Sequence, residues 1–138
     1  MSAKVELTWT EDMSFESIVN GHKITIDADE AVGGKDRGPR PKPMMLLSLG
    51  GCTGMDVVSI LKKMRVDLKG FNVDVEATMT DVHPKYYDHF TITYTFKGKN
   101  LPMDKLEKAI NLSQERYCGV SEMLRKSSTI EHKIIVVE

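Results

Sequence analysis

Two cysteines are the residues of this chain best suited to covalent chemistry, and they lie far apart in the sequence. Cys52 follows Gly50 and Gly51 in the run LSLGGCTGMDVV, and Cys118 stands in RYCGVSEML. Isolated thiols do not fit the paired spacing of a structural zinc site, so no metal is expected. A structural disulfide is unusual in a reducing compartment. The two thiols are therefore either inert buried side chains or reactive groups.

Polar side chains share one side of the apolar helix that the spacing predicts around Cys52. Ser48 and Asp56 lie four residues before and after it, which places all three on one helical face. A few polar groups set into an apolar wall are typical of a small-molecule site. Glycine inside a helix costs about 1 kcal/mol relative to alanine. Gly50 and Gly51 therefore indicate a ligand or another backbone at close range, or a plain helix crossing.

A turn and a helix start are predicted around Cys118. Gly119 can form a tight turn, and the thiol then lies near the next helix N-terminus, where the helix dipole favours the thiolate. Arg116 can add positive charge. The alternative interpretation is a linker cysteine beside a solvated arginine.

The elements that must position these residues alternate between strand and helix patterns. Strand patterns cover residues 4–10, the segments on either side of Asn20-Gly21, residues 71–80, residues 88–97 and the closing HKIIVVE. Helix patterns cover Pro43 to about Arg65, Pro102 to about Arg116, and Val120 to Lys126. This order predicts an α+β fold with largely antiparallel sheet, in one domain spanning residues 1–138.

The helix that contains Cys52 is apolar nearly all round, which predicts burial nearly all round. A domain of this size usually cannot cover such a helix alone. The simplest additional cover is a second copy of the chain, so we expect a homodimer.

Composition excludes several classes of protein. Hydrophobic residues make up 41% of the chain and charged residues 28%, which is typical of a globular domain. The net charge of -1 gives no reason to expect nucleic acid or a membrane surface as partner. The polar N-terminal stretch lacks a signal-peptide pattern, so a cytoplasmic location is expected.

Several motifs together resemble those of the OsmC/Ohr family, the osmotically inducible protein C and organic hydroperoxide resistance proteins. They are GPRPKPMMLLSLGGC, the following DVV, YCGVSEML and the closing strand IEHKIIV. The resemblance implies an OsmC-like α+β fold, with antiparallel sheets and a long central helix buried in an intertwined homodimer. It also implies thiol peroxidase activity in oxidative stress defence. Cys52 would then attack an organic hydroperoxide, Cys118 would resolve the product to a disulfide, and an external dithiol would restore the pair without a cofactor.

The chain departs from the family pattern where the thiolate is stabilised. Active family members use an arginine from the N-terminal region and a glutamate upstream of the first cysteine. Residues 1–36 contain no arginine here, and the positions nine and ten before Cys52 are Pro43 and Lys42. The chain therefore looks like a divergent branch, in which four cations are candidates for the activating charge: Arg37, Arg40, Lys42 and Arg116.

Two other functions are compatible with the same residues. The fold could serve as a non-enzymatic module that holds a small hydrophobic ligand or an acyl chain beside Gly50 and Gly51. It could also serve as a redox sensor switched by a disulfide between Cys52 and Cys118.

Overall fold

The computed structural model describes all 138 residues, Met1 to Glu138. The chain divides into two compact units, Met1–Met45 and Leu46–Glu138. Strands and helices in chain order are β1 Thr8–Glu11, β2 Ser14–Val19, β3 His22–Ile26, α1 Pro43–Lys63, β4 Gly70–Met79, β5 Tyr87–Lys97, α2 Met103–Leu112, α3 Gly119–Arg125 and β6 Thr129–Val137. A 3-10 turn at Glu30–Val32 and a π-helix at Ser113–Tyr117 complete the regular structure.

The first unit contains an antiparallel sheet in the order β1-β2-β3. Its predicted hairpin is confirmed, because Val19 pairs with His22 across the two-residue turn. Asn20 and Gly21 in that turn have φ angles of 51° and 81°, the left-handed conformation that this turn type requires. The first strand begins at Thr8, later than the alternating pattern predicts.

A buried carboxylate organises the segment that follows β3. Asp27 is 2% exposed and accepts hydrogen bonds from the backbone N–H groups of Ala28, Lys35 and Arg37, at 2.7, 3.2 and 3.1 Å. The bond from the Arg37 backbone is the main reason that the pKa of Asp27 is lowered from its ordinary value of 3.8. The Asp27 side chain therefore helps to hold the Gly- and Pro-rich segment at the end of β3, together with the hydrogen bond of 3.1 Å from the Asp27 N–H to the Pro39 carbonyl oxygen.

The second unit contains a sheet in the order β4-β5-β6. The predicted pairing of β4 with β5 is confirmed and is antiparallel. The closing strand departs from the antiparallel expectation: β6 runs parallel to β5, from His89 opposite Thr129 to Lys97 opposite Val137. The parallel direction follows from α2 and α3, which form the crossover that parallel neighbours need.

The core of this unit lies on one face of the sheet. Alternate residues of the central strand β5 are fully buried there: Phe90, Ile92, Tyr94 and Phe96. The helices add buried residues at helical spacing, namely Leu49, Thr53, Val57 and Leu61 from α1, and Leu106, Ala109 and Ile110 from α2. Thr53 is the one polar member of the α1 set.

The opposite side of α1 is exposed in the single chain. Leu47, Met55 and Val58 are 66%, 76% and 46% exposed. The helix is long and apolar enough, by length and composition, to span a membrane, a property that core helices of soluble proteins share. The burial expected on every side of α1 is therefore present, within this chain, only on the side that faces the sheet.

Candidate functional site

The two thiols meet in the second unit. Cys52 is half-buried on α1, and Cys118 is 3% exposed at the start of α3. Both are free cysteines. Their sulfur atoms and a carboxylate oxygen of Asp56 all lie within 4.8 Å of one another. The fold therefore brings together three of the residues selected from the sequence, on α1 and on the segment between α2 and α3.

The position of Cys118 is set by the π-helix that follows α2. Its backbone N–H donates to the Ser113 carbonyl oxygen at 2.7 Å. As the N-cap residue of α3, Cys118 accepts at Sγ a hydrogen bond of 3.4 Å from the Ser121 N–H, and its carbonyl accepts from Glu122 at 3.1 Å. π-Helices are rare and often occur at functional sites. Here the π-helix turns the chain so that the second thiol faces the first.

The surroundings of Cys52 keep its proton in place. Burial raises the pKa of the thiol from its ordinary value of 9.0, and hydrogen bonding to Cys118 raises it further. Electrostatic interactions with Cys118 and Asp56 act in the same direction. The backbone N–H of Val120 opposes them, because its hydrogen bond to the sulfur favours the thiolate. The net pKa is raised, so the Cys52 thiol is protonated at neutral pH.

A chain of side-chain hydrogen bonds runs behind the thiols. Thr53 Oγ1 lies 2.7 Å from both Tyr94 OH and Ser113 Oγ. Ser113 Oγ donates to Asp56 Oδ2 at 2.9 Å. Gln114 Nε2 donates to Thr53 Oγ1 and to Tyr94 OH, each at 3.1 Å. The chain links α1, β5 and the π-helix through groups that are largely buried.

The number of available protons determines which group donates in each of these hydrogen bonds. A carboxylate can only accept, so the single hydroxyl proton of Ser113 goes to Asp56. Ser113 Oγ must then accept from Thr53, and Thr53 Oγ1 must accept from Tyr94. Burial raises the pKa of Tyr94 from its ordinary value of 10.0, which keeps its proton available as a donor. All bonds therefore point toward Asp56, which holds its carboxylate in one orientation beside the sulfur atoms.

A cavity of about 480 Å³ borders Asp56. Its lining is mixed: Ile60, Met64 and Leu112 are apolar, Asp56, Ser59 and Lys63 are polar, and Tyr117 completes it. Neither Cys52 nor Cys118 is among the lining residues.

The cations selected from the sequence occupy several places. Arg37 forms ion pairs with Glu11 at 2.9 Å and with Asp12 at 3.2 Å, and Arg40 forms one with Asp36 at 2.9 Å. Lys42 lies immediately before α1, and Arg116 is exposed on the π-helix. The assignment of the activating charge to any of these four residues stays a prediction.

The glycines near Cys52 have different surroundings. A Cβ on Gly50 would lie 3.0 Å from Val75 Cγ2, so this glycine lets α1 pack closely on β4. A Cβ on Gly51 would meet nothing within 4 Å. Ser48 is exposed on α1. Gly50 thus serves the helix crossing, whereas Gly51 faces an open surface.

Four polar residues of the site were missed by sequence reasoning: Thr53, Tyr94, Ser113 and Gln114. Two of them carried a sequence signal, which is a polar residue in a helical row of apolar residues. Thr53 lies four residues after Leu49 and four before Val57, and Ser113 lies three residues after Ile110. Tyr94 carried no such signal, because an aromatic residue in a strand is usually plain core.

The comparisons with known proteins agree on one family. The family model described as OsmC-like protein matches residues 33–133. Protein YhfA of Escherichia coli strain K12 is 34% identical over 139 residues, which cover 99% of this chain and 98% of that protein. A solved structure of a hypothetical protein from Aquifex aeolicus superposes with a TM-score of 0.87 at 32% identity, covering 100% of this chain and 99% of the other.

More distant structures share the fold. An organic hydroperoxide resistance protein OsmC from Legionella pneumophila superposes with a TM-score of 0.66 at 12% identity, over 100% of this chain and 98% of the other. The organic hydroperoxide resistance protein OhrB of Bacillus subtilis does so with a TM-score of 0.62 at 16% identity, over 99% and 98%. The matched span and the identity to YhfA identify the chain as a member of the OsmC-like protein family.

Proposed function

We propose that the protein is a thiol-dependent peroxidase of the OsmC/Ohr type that reduces organic hydroperoxides through Cys52 and Cys118 in defence against oxidative stress. The observation that carries the proposal is the convergence of two free thiols from distant parts of the chain to within 4.8 Å. A disulfide joins sulfur atoms about 2.05 Å apart, so the two free thiols would have to approach each other further to form the bond.

The reaction consists of two steps that balance. The Cys52 thiolate attacks the terminal oxygen of the hydroperoxide, an S–O bond forms as the O–O bond breaks, and the alkoxide leaves as an alcohol after taking a proton. Cys118 then attacks the sulfur of the sulfenic acid, an S–S bond forms, and the hydroxyl group leaves as water after taking a proton. The pair supplies both electrons, and an external dithiol restores the thiols without a bound cofactor.

The cavity beside Asp56 supports an organic substrate rather than hydrogen peroxide. The apolar part of its lining, Ile60, Met64 and Leu112, suits an alkyl or aryl group. Two distant structural neighbours are named as organic hydroperoxide resistance proteins, which is consistent with this substrate class.

The raised pKa of Cys52 means that efficient turnover needs a source of positive charge. We keep the four cations named from the sequence as candidates, and we propose that the working form is a cytoplasmic homodimer. In a dimer a cation can come from either copy. The candidates are Arg37, Arg40, Lys42 and Arg116.

Thiol counting tests the proposal. Reduced protein freed of reductant is mixed with one equivalent of cumene hydroperoxide, and free thiols are titrated over time. We expect both thiols of each chain to disappear. Cys118→Ser should stop at a sulfenic acid on Cys52 that dimedone traps, and Cys52→Ser should keep its remaining thiol. Survival of both thiols in the unmodified protein would contradict the proposal.

A second candidate function is the binding of a small hydrophobic molecule or acyl chain without chemistry. A depression of about 540 Å³ on α1 favours it, because it is lined by Gly51, Gly54, Val58 and Phe71 among others and is largely apolar. Ligand binding raises the melting temperature by mass action. Stabilisation by an added fatty acid that persists in Cys52→Ser would favour binding over catalysis.

A further inference from the structure

Three side chains of metal-binding type converge at the thiol pair. Cys52 Sγ, Cys118 Sγ and a carboxylate oxygen of Asp56 lie within 4.8 Å of one another. Thiolate and carboxylate are both ligands of zinc, and bond lengths of about 2.3 Å for sulfur and 2.0–2.2 Å for oxygen place tetrahedral ligand atoms under about 4 Å apart. Side-chain movements of about 1 Å would therefore bring the three atoms to bonding distance of one ion.

The orientation of Asp56 matches that of a metal ligand. Ser113 Oγ donates to Asp56 Oδ2 at 2.9 Å, and Ser113 in turn is held by Thr53 at 2.7 Å. Ligating carboxylates are commonly fixed by such outer hydrogen bonds. Three protein ligands also leave a fourth position open, as in zinc sites that bind a water or another small ligand.

Charge within the cluster favours a cation. Two thiols and a carboxylate become three negative charges at short range once the thiols ionise, and such charges destabilise one another. The groups that hydrogen-bond to the two sulfurs from α3 are neutral backbone N–H groups, from Val120 to Cys52 and from Ser121 to Cys118. A divalent cation would neutralise most of this charge, whereas a single N–H group offsets only part of it.

A buried polar atom adjoins the cluster. Ser121 Oγ is fully buried and has no hydrogen-bond partner in the protein, and its own backbone N–H is the group that contacts Cys118 Sγ at 3.4 Å. A water or an ion can serve as the partner of such an atom.

We propose that the reduced protein binds one zinc ion per chain through Cys52 Sγ, Cys118 Sγ and the Asp56 carboxylate. Binding displaces one proton from each thiol and changes no oxidation state. Formation of the Cys52–Cys118 disulfide removes two of the three ligands, so oxidation and zinc binding exclude each other. The zinc-bound form would protect both thiols from hydroperoxide until the metal is withdrawn.

The ligand spacing explains why sequence motifs do not predict this site. The ligands Cys52 and Asp56 are neighbours on one turn of α1, but Cys118 reaches them only through the turn that the π-helix makes. Sequence patterns for zinc rest on ligands paired at short intervals.

Metal titration of the reduced full chain tests the proposal. Protein treated with a dithiol and a chelator is desalted, loaded with zinc chloride, desalted again and analysed for bound metal and free thiols. Cobalt(II) serves as a second probe, since thiolate ligands give it a charge-transfer band in the near ultraviolet. We expect one zinc per chain, a cobalt spectrum with thiolate character, and loss of both after oxidation of the protein to the disulfide.

Matched variants separate a specific site from surface binding. Cys52→Ser and Cys118→Ser should each lose the cobalt charge-transfer signal in part and the zinc after desalting. Asp56→Asn should weaken zinc binding at least about tenfold, by analogy with the cost of disturbing a ligand shell. Asp74→Asn, which removes an exposed carboxylate on β4, should bind zinc as the unmodified protein does.

Two results would overturn the proposal: reduced protein that retains no zinc, or retention that is equal in Cys52→Ser and in the unmodified chain. Neither result depends on peroxide chemistry. The peroxide reaction is therefore measured separately on metal-free reduced protein. Zinc binding together with survival of both thiols in the metal-free protein would contradict the proposed peroxidase alone, and loss of those thiols without zinc binding would contradict the zinc site alone.

Discussion

At the scale of single residues, Asp56 has opposite effects on the two kinds of chemistry proposed for the site. Its negative charge helps raise the pKa of the Cys52 thiol, after the larger effects of burial and Cys118, and so disfavours the reactive thiolate. The same charge favours a cation between the sulfur atoms. Because Ser113 orients the carboxylate, its position beside the sulfurs is part of the fold rather than a free surface rotamer.

The pH dependence of alkylation tests the electrostatics of Cys52. The pKa is raised above 9.0, so below that value the rate of alkylation by iodoacetamide, which follows the thiolate, should rise about tenfold per pH unit. The midpoint should lie above pH 9. Asp56→Asn removes one of the raising charges and should move the midpoint to lower pH, with faster alkylation at pH 8.

Rates are measured on the unmodified and Asp56→Asn proteins with chelator present, and alkylation of the Cys52 peptide is followed by mass spectrometry, so that Cys118 keeps its effect on the pKa of Cys52. Asp74→Asn serves as the control for loss of a remote carboxylate. A midpoint below pH 8, or one that Asp56→Asn moves upward, would contradict the electrostatic picture.

At the level of secondary structure, the strands and helices could be predicted from the sequence better than the way in which they pair and pack. Alternation in β4 and β5 and the Asn20-Gly21 turn were sufficient signals, because both are local. The parallel pairing of β6 depends on where α2 and α3 carry the chain, which no local pattern encodes. The five-residue π-helix, which places Cys118, has no sequence signature of its own.

The same distinction applies to the site. Cys52 and Asp56 could be paired by helical spacing, and the cysteine near a helix start was foreseeable from Gly119. The contacts of Thr53 with Tyr94 and Ser113 join three elements, so they depend on tertiary packing. Local pattern therefore identified the two cysteines and Asp56 as candidate site residues, whereas tertiary packing determined their hydrogen-bond partners.

Replacement of Thr53 by valine tests the hydrogen-bond chain between the elements. The shape of the side chain is kept, but Tyr94 loses its acceptor and Ser113 loses its donor in a buried setting. We expect the free energy of unfolding to fall by about 1–3 kcal/mol, measured by urea denaturation at fixed protein concentration. Thr93→Val, on the outward face of β5, should change it by less than about 0.5 kcal/mol. Equal effects of the two variants would contradict a buried network.

At the scale of the whole molecule, the exposed side of α1 requires an explanation. Leu47, Met55 and Val58 are exposed apolar residues on this helix in the single chain. Large exposed apolar patches in soluble proteins usually mark an interaction surface. A second copy of the chain is the partner that we propose for it.

Charge placed on this surface should separate the copies. We expect the unmodified protein to have the mass of two chains by light scattering, and Met55→Glu to have the mass of one, because burial of an unpaired carboxylate is costly. Lys108→Glu, on the exposed side of α2, is the matched charge control and should keep the mass of two chains. A single-chain mass for the unmodified protein at micromolar concentration would contradict the dimer.

The most direct measurement of the central claim is a disulfide map after reaction with one equivalent of an organic hydroperoxide. Equal amounts of unlabelled and nitrogen-15-labelled protein are mixed, unfolded and refolded together, oxidised, alkylated and digested without reduction. We predict a cross-linked peptide pair joining Cys52 to Cys118 with a single isotope label, since both sulfurs belong to one chain. Two alkylated free cysteines, or a disulfide that joins labelled to unlabelled peptides, would contradict the account.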